Sequence, residues 1–212
     1  MQCIRPSSLN DFIGQERVRQ VLQILCRSAK TKKTSVSHVL LSGPPGLGKT
    51  TLARIVANEM GSRLVETIGG NLQAPEQLIG LLRSLKPLDV LFIDEIHAMA
   101  RSVEEILYPA MEDNLVPVIK TESSDFMRAL GVQAKPATEM VALPPFTLLG
   151  ASTMSGLVSA PLRSRFAHEL TLEPYSLDDL ARIVFRASRA MGVELELGVA
   201  MEVAKRSRST AR

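Results

Sequence analysis

The sequence has no tryptophan, few other aromatic residues and only two cysteines among its 212 residues. Aromatic residues make up 4% and hydrophobic residues 45%, so aliphatic side chains must provide most of the core packing. Cys3 and Cys26 have no metal-site spacing and are too few for a disulfide framework, which predicts reduced, structurally incidental thiols. No apolar run approaches the roughly 20 residues that cross a bilayer, and the first residues lack the cationic start and apolar core that would predict a signal peptide. A soluble, cytoplasmic protein is expected.

An excess of charge of either sign is also missing. The net charge is +3, and charged residues make up 22% of the chain, an ordinary value for a globular protein. This mildly basic balance is compatible with nucleic-acid binding but does not by itself assign such a partner. The length allows one large domain, or one domain and part of a second.

Short apolar segments alternate with segments of helical period. The predicted buried strands are His38–Ser42, Arg63–Thr67, Val90–Ile93, Phe146–Gly150 and Glu169–Leu172. The predicted helices are Arg17–Ala29, Thr50–Met60, Glu76–Leu85, Val103–Met111, Leu177–Met191 and Gly198–Arg208. This alternation predicts an α/β fold, with a parallel sheet covered by helices on both faces. Because the pattern after Pro174 is purely helical, we expect a large domain over residues 1–173 and the start of a small helical lid over 174–212.

One segment does not follow this rhythm. Residues Asn114–Leu143 have mixed polarity, two prolines and no clear period. A segment of this length inside a compact domain is usually functional or mobile.

The loop after the first strand has the pattern of a P-loop, glycine followed by four residues and then Gly-Lys-Thr. Its residues are Gly43, Pro44, Pro45, Gly46, Leu47, Gly48, Lys49 and Thr50, followed by Thr51. The glycines allow the backbone N–H groups to face phosphate oxygens, and the following helix presents its positive end to them. We expect Lys49 to neutralise the β- and γ-phosphates of ATP and the Thr50 hydroxyl to bind Mg²⁺.

Two carboxylates end the third strand, about forty residues beyond the P-loop. Asp94 is expected to lie beside the Mg²⁺, and Glu95 to polarise the water that attacks the γ-phosphate. Alone, such a pair more often begins a helix. After a P-loop, it predicts the second half of an ATP-hydrolysing site.

Three further sites have two interpretations each. His97 could coordinate an ion, although packing at the start of a helix is the more ordinary role. Ser152 and Thr153 end a strand that should lie beside the acidic strand, where a hydroxyl could sense the γ-phosphate or cap a helix. Arg163 and Arg165 could form a solvated face, or Arg165 could reach a neighbouring subunit's γ-phosphate.

Several motifs, in this order, resemble those of the RuvB family of bacterial AAA+ motors. They are Arg5-Pro6 with Phe12-Ile-Gly-Gln15, the P-loop with its strand, Val56–Gly61, Asp89–His97, Leu107–Asp113, Leu143–Leu149, Pro161–Phe166 and Arg208–Arg212. The Tyr-Pro-Ala-Met-Glu-Asp run within Leu107–Asp113 is far narrower in distribution than a P-loop. The resemblance covers nearly the whole chain apart from the middle segment.

The resemblance implies roles for particular residues. Thr153 would be the sensor-1 residue, Arg165 the arginine finger and Arg212 the sensor-2 arginine, while Ile13 and Tyr175 would lie against the adenine. Arg5, in the first of the matching motifs, would also bind the nucleotide. The family further implies a hexameric ring that drives branch migration of Holliday junctions, four-way DNA junctions, with RuvA and RuvC as partners.

The sequence departs from the family in two places. Residues Asn114–Leu143 are longer than the family's RuvA-contacting hairpin and lack its glycine-rich basic turn. These 212 residues are expected to include only part of the lid and none of the family's winged-helix domain. Two alternatives therefore remain: a relative that binds nucleotide without motor activity, or an AAA+ subunit that remodels proteins.

Overall fold

The computed structural model describes residues 5–120, 137–207 and 210. The strands are β1 (Val39–Ser42), β2 (Leu64–Ile68), β3 (Val90–Asp94), β4 (Leu115–Lys120), β5 (Ala137–Ala142), β6 (Thr147–Ser152) and β7 (His168–Thr171). The helices are α1 (Glu16–Lys32), α2 (Lys49–Met60), α3 (Pro75–Arg83), α4 (Arg101–Glu112), α5 (Ala160–Arg163), α6 (Leu177–Ala190) and α7 (Leu197–Arg206). Within these ranges, no helix is long and apolar enough to cross a membrane.

Five of the strands form one parallel sheet in the order β2-β3-β6-β1-β7. They coincide with the five predicted strands to within one or two residues at each end, so the predicted α/β fold is confirmed. Ser42 of β1 lies opposite Ser152 of β6, and Ile93 of β3 lies opposite Gly150 of β6. The carboxyl ends of β1, β3 and β6 therefore meet at the same edge of the sheet. The prediction that the strand ending at Ser152 lies beside the acidic strand is confirmed.

Alternate residues of the central strands point to opposite faces of the sheet. Leu41 and Phe92 belong to a core that includes buried side chains of α1 and α2. Leu40 and Leu91 belong to a second core with buried side chains of α3 and α4. Each face thus has its own apolar layer, which explains why the central strands β1, β3 and β6 are mostly apolar and buried on both faces.

The two helices after the sheet pack onto the face that carries α2. The Ser176 hydroxyl begins α6 by accepting a hydrogen bond from the Asp179 N–H at 3.1 Å. Leu180 and Ala181 of α6 and Ala204 of α7 are buried in the same core as α1 and α2. This contact brings α6 beside the loop between β1 and α2.

The middle segment contains regular structure that its sequence pattern did not predict. β4 and β5 pair as antiparallel strands, with Leu115 opposite Ala142 and Lys120 opposite Ala137. Val116 is fully buried in the second core, and Val118 and Val141 are partly buried against it. The alternation of apolar and polar residues that is typical of a strand covers only a few residues here, and Pro117 interrupts it. Proline is found in sheets mainly at their edges. Residues 121–136, which join the strands, lie outside the described ranges.

Candidate nucleotide site

A cleft of about 530 Å³ opens at the carboxyl ends of β1, β3 and β6. The P-loop, the end of β3, the residue after β6 and one side of α6 form its walls. Twelve of the residues predicted from sequence line it: Arg5, Ile13, Pro45, Gly46, Gly48, Lys49, Thr50, Thr51, Asp94, Glu95, Thr153 and Tyr175. Residues from distant parts of the sequence thus meet in one cavity, because the parallel sheet brings its strand ends together.

The loop at the base of the cleft has a backbone that requires glycine. Gly43 has φ 136° and Gly48 has φ 100°, both in the left-handed region that side chains disfavour. A Cβ atom at position 43 would lie 2.6 Å from the Leu172 carbonyl oxygen, and one at position 48 would lie 2.8 Å from the Phe12 ring. The N–H of Gly43 donates to the Ser152 carbonyl at 3.2 Å, which ties the loop to β6.

Lys49 is the first residue of α2, and it is buried with 6% of its surface exposed. Its ammonium group donates to the carbonyls of Gly43 at 2.7 Å and Pro44 at 3.0 Å, at the start of the same loop. A buried ammonium group needs such partners. The arrangement holds one positive charge inside the loop, where phosphate oxygens can take over these hydrogen bonds.

Thr50 and Asp94 offer a hydroxyl and a carboxylate to the same cleft. In the described part of the chain, no group of three His, Cys, Asp or Glu side chains could hold a metal ion by itself. Mg²⁺ prefers oxygen ligands, keeps several waters and is usually bound by one or two protein groups together with phosphates. A hydroxyl and a carboxylate beside a phosphate-binding loop therefore fit Mg²⁺ in the presence of a nucleotide.

Glu95 is held by Thr153 through three short contacts. Its carboxylate accepts the Thr153 N–H at 3.0 Å, and the Thr153 hydroxyl lies 2.8 and 2.9 Å from the two carboxylate oxygens. Glu95 has φ 47°, so the chain turns sharply where β3 ends and directs this side chain toward β6. The Thr153 hydroxyl binds the carboxylate, and the short helix Ser155–Leu157 has no side-chain cap, so the capping interpretation is wrong for Thr153.

His97 lies behind the same carboxylate. Its Nδ1 is 2.9 Å from the Ser152 hydroxyl and 3.3 Å from Glu95 Oε2. The Ser152 oxygen also accepts the Met154 N–H at 3.0 Å. His97 is therefore a hydrogen-bonded residue of the sheet edge, in agreement with the ordinary interpretation. Glu95, His97, Ser152 and Thr153 form one connected polar cluster.

Tyr175 connects the P-loop to the start of α6. Its hydroxyl donates to the Leu47 carbonyl at 3.0 Å, and only 7% of the residue is exposed. Burial, with a smaller contribution from the Asp179 carboxylate, raises the pKa of Tyr175 to about 12. The hydroxyl is therefore neutral and able to donate over the whole physiological range of pH.

The cleft also contains residues that the sequence did not single out as a site: Pro6, Phe12, Arg54, Ile183, Arg186 and Ala187. Ile183, Arg186 and Ala187 have the i, i+3, i+4 spacing of one helix face. If one of them were known to line the cleft, this spacing would predict that the other two do so as well. Arg186 donates to the Asp11 carbonyl, joining α6 to the segment before α1. Arg54 is held by the Glu66 carboxylate at 2.9 and 3.1 Å.

Five predicted residues do not line the cleft in the described structure. Gly43, Pro44 and Leu47 contribute backbone carbonyls to the contacts of Lys49 and Tyr175. Arg165 lies elsewhere, against α4, where its Nε is 3.1 Å from a carboxylate oxygen of Glu112. Arg212 is outside the described residues.

Comparison with known proteins identifies the family of this chain. A model of the Holliday junction DNA helicase RuvB P-loop domain matches residues 4–172. The Thermotoga maritima RuvB Holliday junction branch migration motor superposes with a TM-score of 0.83 at 44% identity, over 99% of this chain and 62% of its own. A mutant of the same Thermotoga protein gives a TM-score of 0.86 at 43% identity, over 98% of this chain and 62% of its own. The chain thus spans 62% of the length of these solved relatives.

Proposed function

This chain belongs to the RuvB family, and on that premise we propose that it is an ATP-hydrolysing DNA motor of the Holliday-junction branch-migration type. The observation that carries this proposal is the meeting of Lys49, Thr50, Asp94, Glu95 and Thr153 in one cleft. A phosphate-binding loop, a magnesium pair and a carboxylate held by a hydroxyl are the parts that ATP hydrolysis requires. The family membership supplies the substrate class, junction DNA.

ATP binding uses both ends of the cleft. The P-loop amides and the N-terminus of α2 bind the phosphates, and Lys49 exchanges the Gly43 and Pro44 carbonyls for phosphate oxygens. Ile13, Tyr175, Arg5 and Thr51 line the cleft. By the family resemblance, Ile13 and Tyr175 would lie against the adenine, and Arg5 and Thr51 would also contact the nucleotide. Thr50 and Asp94 would hold Mg²⁺, which would neutralise charge on the β- and γ-phosphates when bound.

Hydrolysis depends on Glu95. Its carboxylate would orient a water molecule and accept a proton from it as the water oxygen bonds to the γ-phosphorus; the bond from that phosphorus to the β-phosphate oxygen breaks, and ADP leaves. Thr153 donates two hydrogen bonds to that carboxylate, so movement of Thr153 toward or away from the phosphate moves the base as well. This coupling is a physical basis for a sensor-1 role.

Arg165 completes the site of a neighbouring subunit in a ring. It does not line its own chain's cleft. Of the arginines that do, Arg54 is bound by the Glu66 carboxylate and Arg186 by the Asp11 carbonyl. A rigid guanidinium fork can bind the developing charge on the γ-phosphoryl group at two points. The hexamer, the cytoplasmic location, the sensor-2 role of Arg212 and the RuvA-like and RuvC-like partners follow from the family resemblance. The β4–β5 hairpin occupies the family's RuvA-contacting position in the sequence.

The test is ATP turnover with and without a synthetic four-way junction, followed by separation of the junction's arms. We expect the junction to stimulate turnover, and arm separation to require ATP and to fail with a non-hydrolysable analogue. A linear duplex of the same length and composition is the DNA control. Turnover that the junction leaves unchanged, with no arm separation by the assembled protein, would overturn the motor function while leaving ATP binding intact.

A further inference from the structure

The guanidinium of Arg165 is held on three sides by its own subunit. Its central carbon lies 4.1 Å from the centroid of the Tyr108 ring. Nη1 donates to the Pro161 carbonyl at 2.6 Å, and Nε lies 3.1 Å from Glu112 Oε1. Only 22% of the side chain is exposed. Arg165 is therefore a placed group and not a solvated surface arginine.

The Tyr108 ring is fixed in turn by a carboxylate on its own helix. The Tyr108 hydroxyl donates to Glu104 Oε1 at 2.6 Å, and the same oxygen accepts the Ser159 hydroxyl. Ser159 also begins α5, because its oxygen accepts the Leu162 N–H at 3.2 Å. Residues 104, 108 and 112 are spaced four apart on α4, so they form one stripe along the helix. This stripe ties α4 to the segment that carries Arg165.

The ring and the carboxylate affect the arginine differently. Glu112 has 54% of its side chain exposed, so water screens its ion pair and the attraction is weak. A carboxylate also competes with a phosphate for the guanidinium N–H groups. The aromatic face attracts the guanidinium without using those N–H groups or cancelling the charge. Tyr108 can thus orient Arg165 while leaving it ready to bind phosphate.

We propose that Tyr108 is a positioning residue for Arg165: its ring sets the plane of the guanidinium that the subunit presents to its neighbour. The inference rests on the proposed role of Arg165 in trans. Loss of the ring should therefore slow hydrolysis in the adjoining subunit. It should leave ATP binding by the altered subunit's own cleft unchanged.

The first measurement is the kinetics of Tyr108→Leu and Tyr108→Phe. Tyr108→Leu should lower kcat by about 5- to 30-fold, the rate equivalent of a cation–π contact, with little change in KM for ATP. Tyr108→Phe keeps the ring and should restore most of the rate. Glu105→Gln, an exposed position on the same helix, is the control and should be normal. Equal losses in Tyr108→Phe and Tyr108→Leu would assign the effect to the Glu104 hydrogen bond and overturn the proposal.

The second measurement uses mixed rings. Tyr108→Leu mixed with Lys49→Ala should regain activity, because the Lys49→Ala chain supplies a positioned arginine to an intact cleft. Tyr108→Leu mixed with Arg165→Ala should gain nothing, because both chains lack the same function. Recovery in the second mixture would mean that Tyr108 acts through another group.

The outcomes separate this inference from the proposed function. If Arg165→Ala retains full turnover, Arg165 has no role in trans, and the positioning role proposed for Tyr108 is wrong as well. If Arg165→Ala is inactive while Tyr108→Leu has a normal kcat, only the positioning role fails. Should Tyr108→Leu not fold, increasingly fluorinated phenylalanines at position 108 keep the ring's shape while weakening its attraction for a cation. Turnover should then fall with each added fluorine, and an unchanged kcat across the series would overturn the proposal.

Discussion

The Glu95 carboxylate and Thr153 are joined by two donors of one residue, the N–H at 3.0 Å and the hydroxyl at 2.8 Å from the same oxygen. Glu95 directly follows β3 and Thr153 directly follows β6, so the contact depends on these strands being neighbours in the sheet. A base that is oriented by a side chain on the adjacent strand can respond to any shift of that strand. The contact leads to the first prediction.

Thr153→Val removes the hydroxyl while keeping a side chain of similar shape. We expect kcat to fall by about 10-fold or more, part of the 10²–10⁴ that general-base catalysis contributes, with ATP affinity nearly unchanged. Thr153→Ser restores the hydroxyl and should recover most of the rate. Steady-state kinetics with a separate nucleotide-binding measurement would decide the matter, and a wild-type kcat in Thr153→Val would show that the hydroxyl is not needed.

Tyr175→Phe tests the hydrogen bond between the start of α6 and the P-loop. The Leu47 carbonyl would lose its donor, which costs about 1–3 kcal/mol of folding free energy, and nucleotide binding should weaken. The check is the thermal midpoint together with ATP affinity. An unchanged midpoint would mean that water or a rearranged loop replaces the hydroxyl.

The difference in folding stability between the wild type and Tyr175→Phe should depend on pH. The pKa of Tyr175 is raised to about 12 in the folded state, against about 10 when unfolded, so only the unfolded chain loses this proton between these values. The contribution of the Tyr175 hydroxyl to folding stability is therefore fully present below pH 10, and it declines as the pH rises toward 12. The stability difference between wild type and Tyr175→Phe should narrow over that window. A constant difference would mean that the hydroxyl is not protected by burial.

Gly48→Ala tests whether the P-loop conformation needs glycine. A side chain at φ 100° costs about 1–2 kcal/mol, and the new Cβ would also press against Phe12. We expect lower stability and loss of ATP binding. Gly80→Ala is the matched control: Gly80 lies within α3 with open space around it, so alanine there should stabilise by about 0.4–1 kcal/mol. Normal ATP binding by Gly48→Ala would contradict the assigned loop geometry.

Arg165→Ala should reduce ATP turnover by about 10³-fold or more while leaving ATP binding intact, as expected for an arginine finger. Arg163 is the control because it is held within its own subunit by the Ser155 carbonyl at 2.7 Å and Glu169 at 3.3 Å. Arg163→Ala should therefore have a smaller effect on turnover. Mixing Arg165→Ala with Lys49→Ala should restore part of the activity. Loss without rescue, in mixed rings shown to form, would mean that Arg165 acts within its own subunit.

The sheet and the P-loop could be predicted because their signals are local. A strand such as β1 is apolar along its length, and the glycine spacing of the loop that follows is specific. The proximity of Glu95 to Thr153 was also within reach, since parallel strands end at one edge. The β4–β5 hairpin was missed because the alternation of apolar and polar residues in β4 covers only a few positions and is interrupted by Pro117.

Other contacts depend on how separate helices approach one another. Nothing in the sequence near Arg165 indicates Tyr108, which is 57 residues away on α4 and reaches Arg165 only because α4 and α5 pack together. Similarly, Arg186 enters the cleft because α6 packs on the α2 side of the sheet. A periodic pattern predicts such a helix but not the partner of each side chain.

The assignment of Glu95 as base and Lys49 as phosphate ligand can be tested in one paired measurement of ATP binding and turnover. Glu95→Gln should bind ATP with nearly wild-type affinity, because Lys49, Thr50 and Asp94 remain, and should lose about 10²–10⁴ in turnover. Lys49→Ala should weaken ATP binding itself, because a buried positive charge beside the phosphates is removed. Wild-type turnover in Glu95→Gln, or unchanged ATP affinity in Lys49→Ala, would contradict the account.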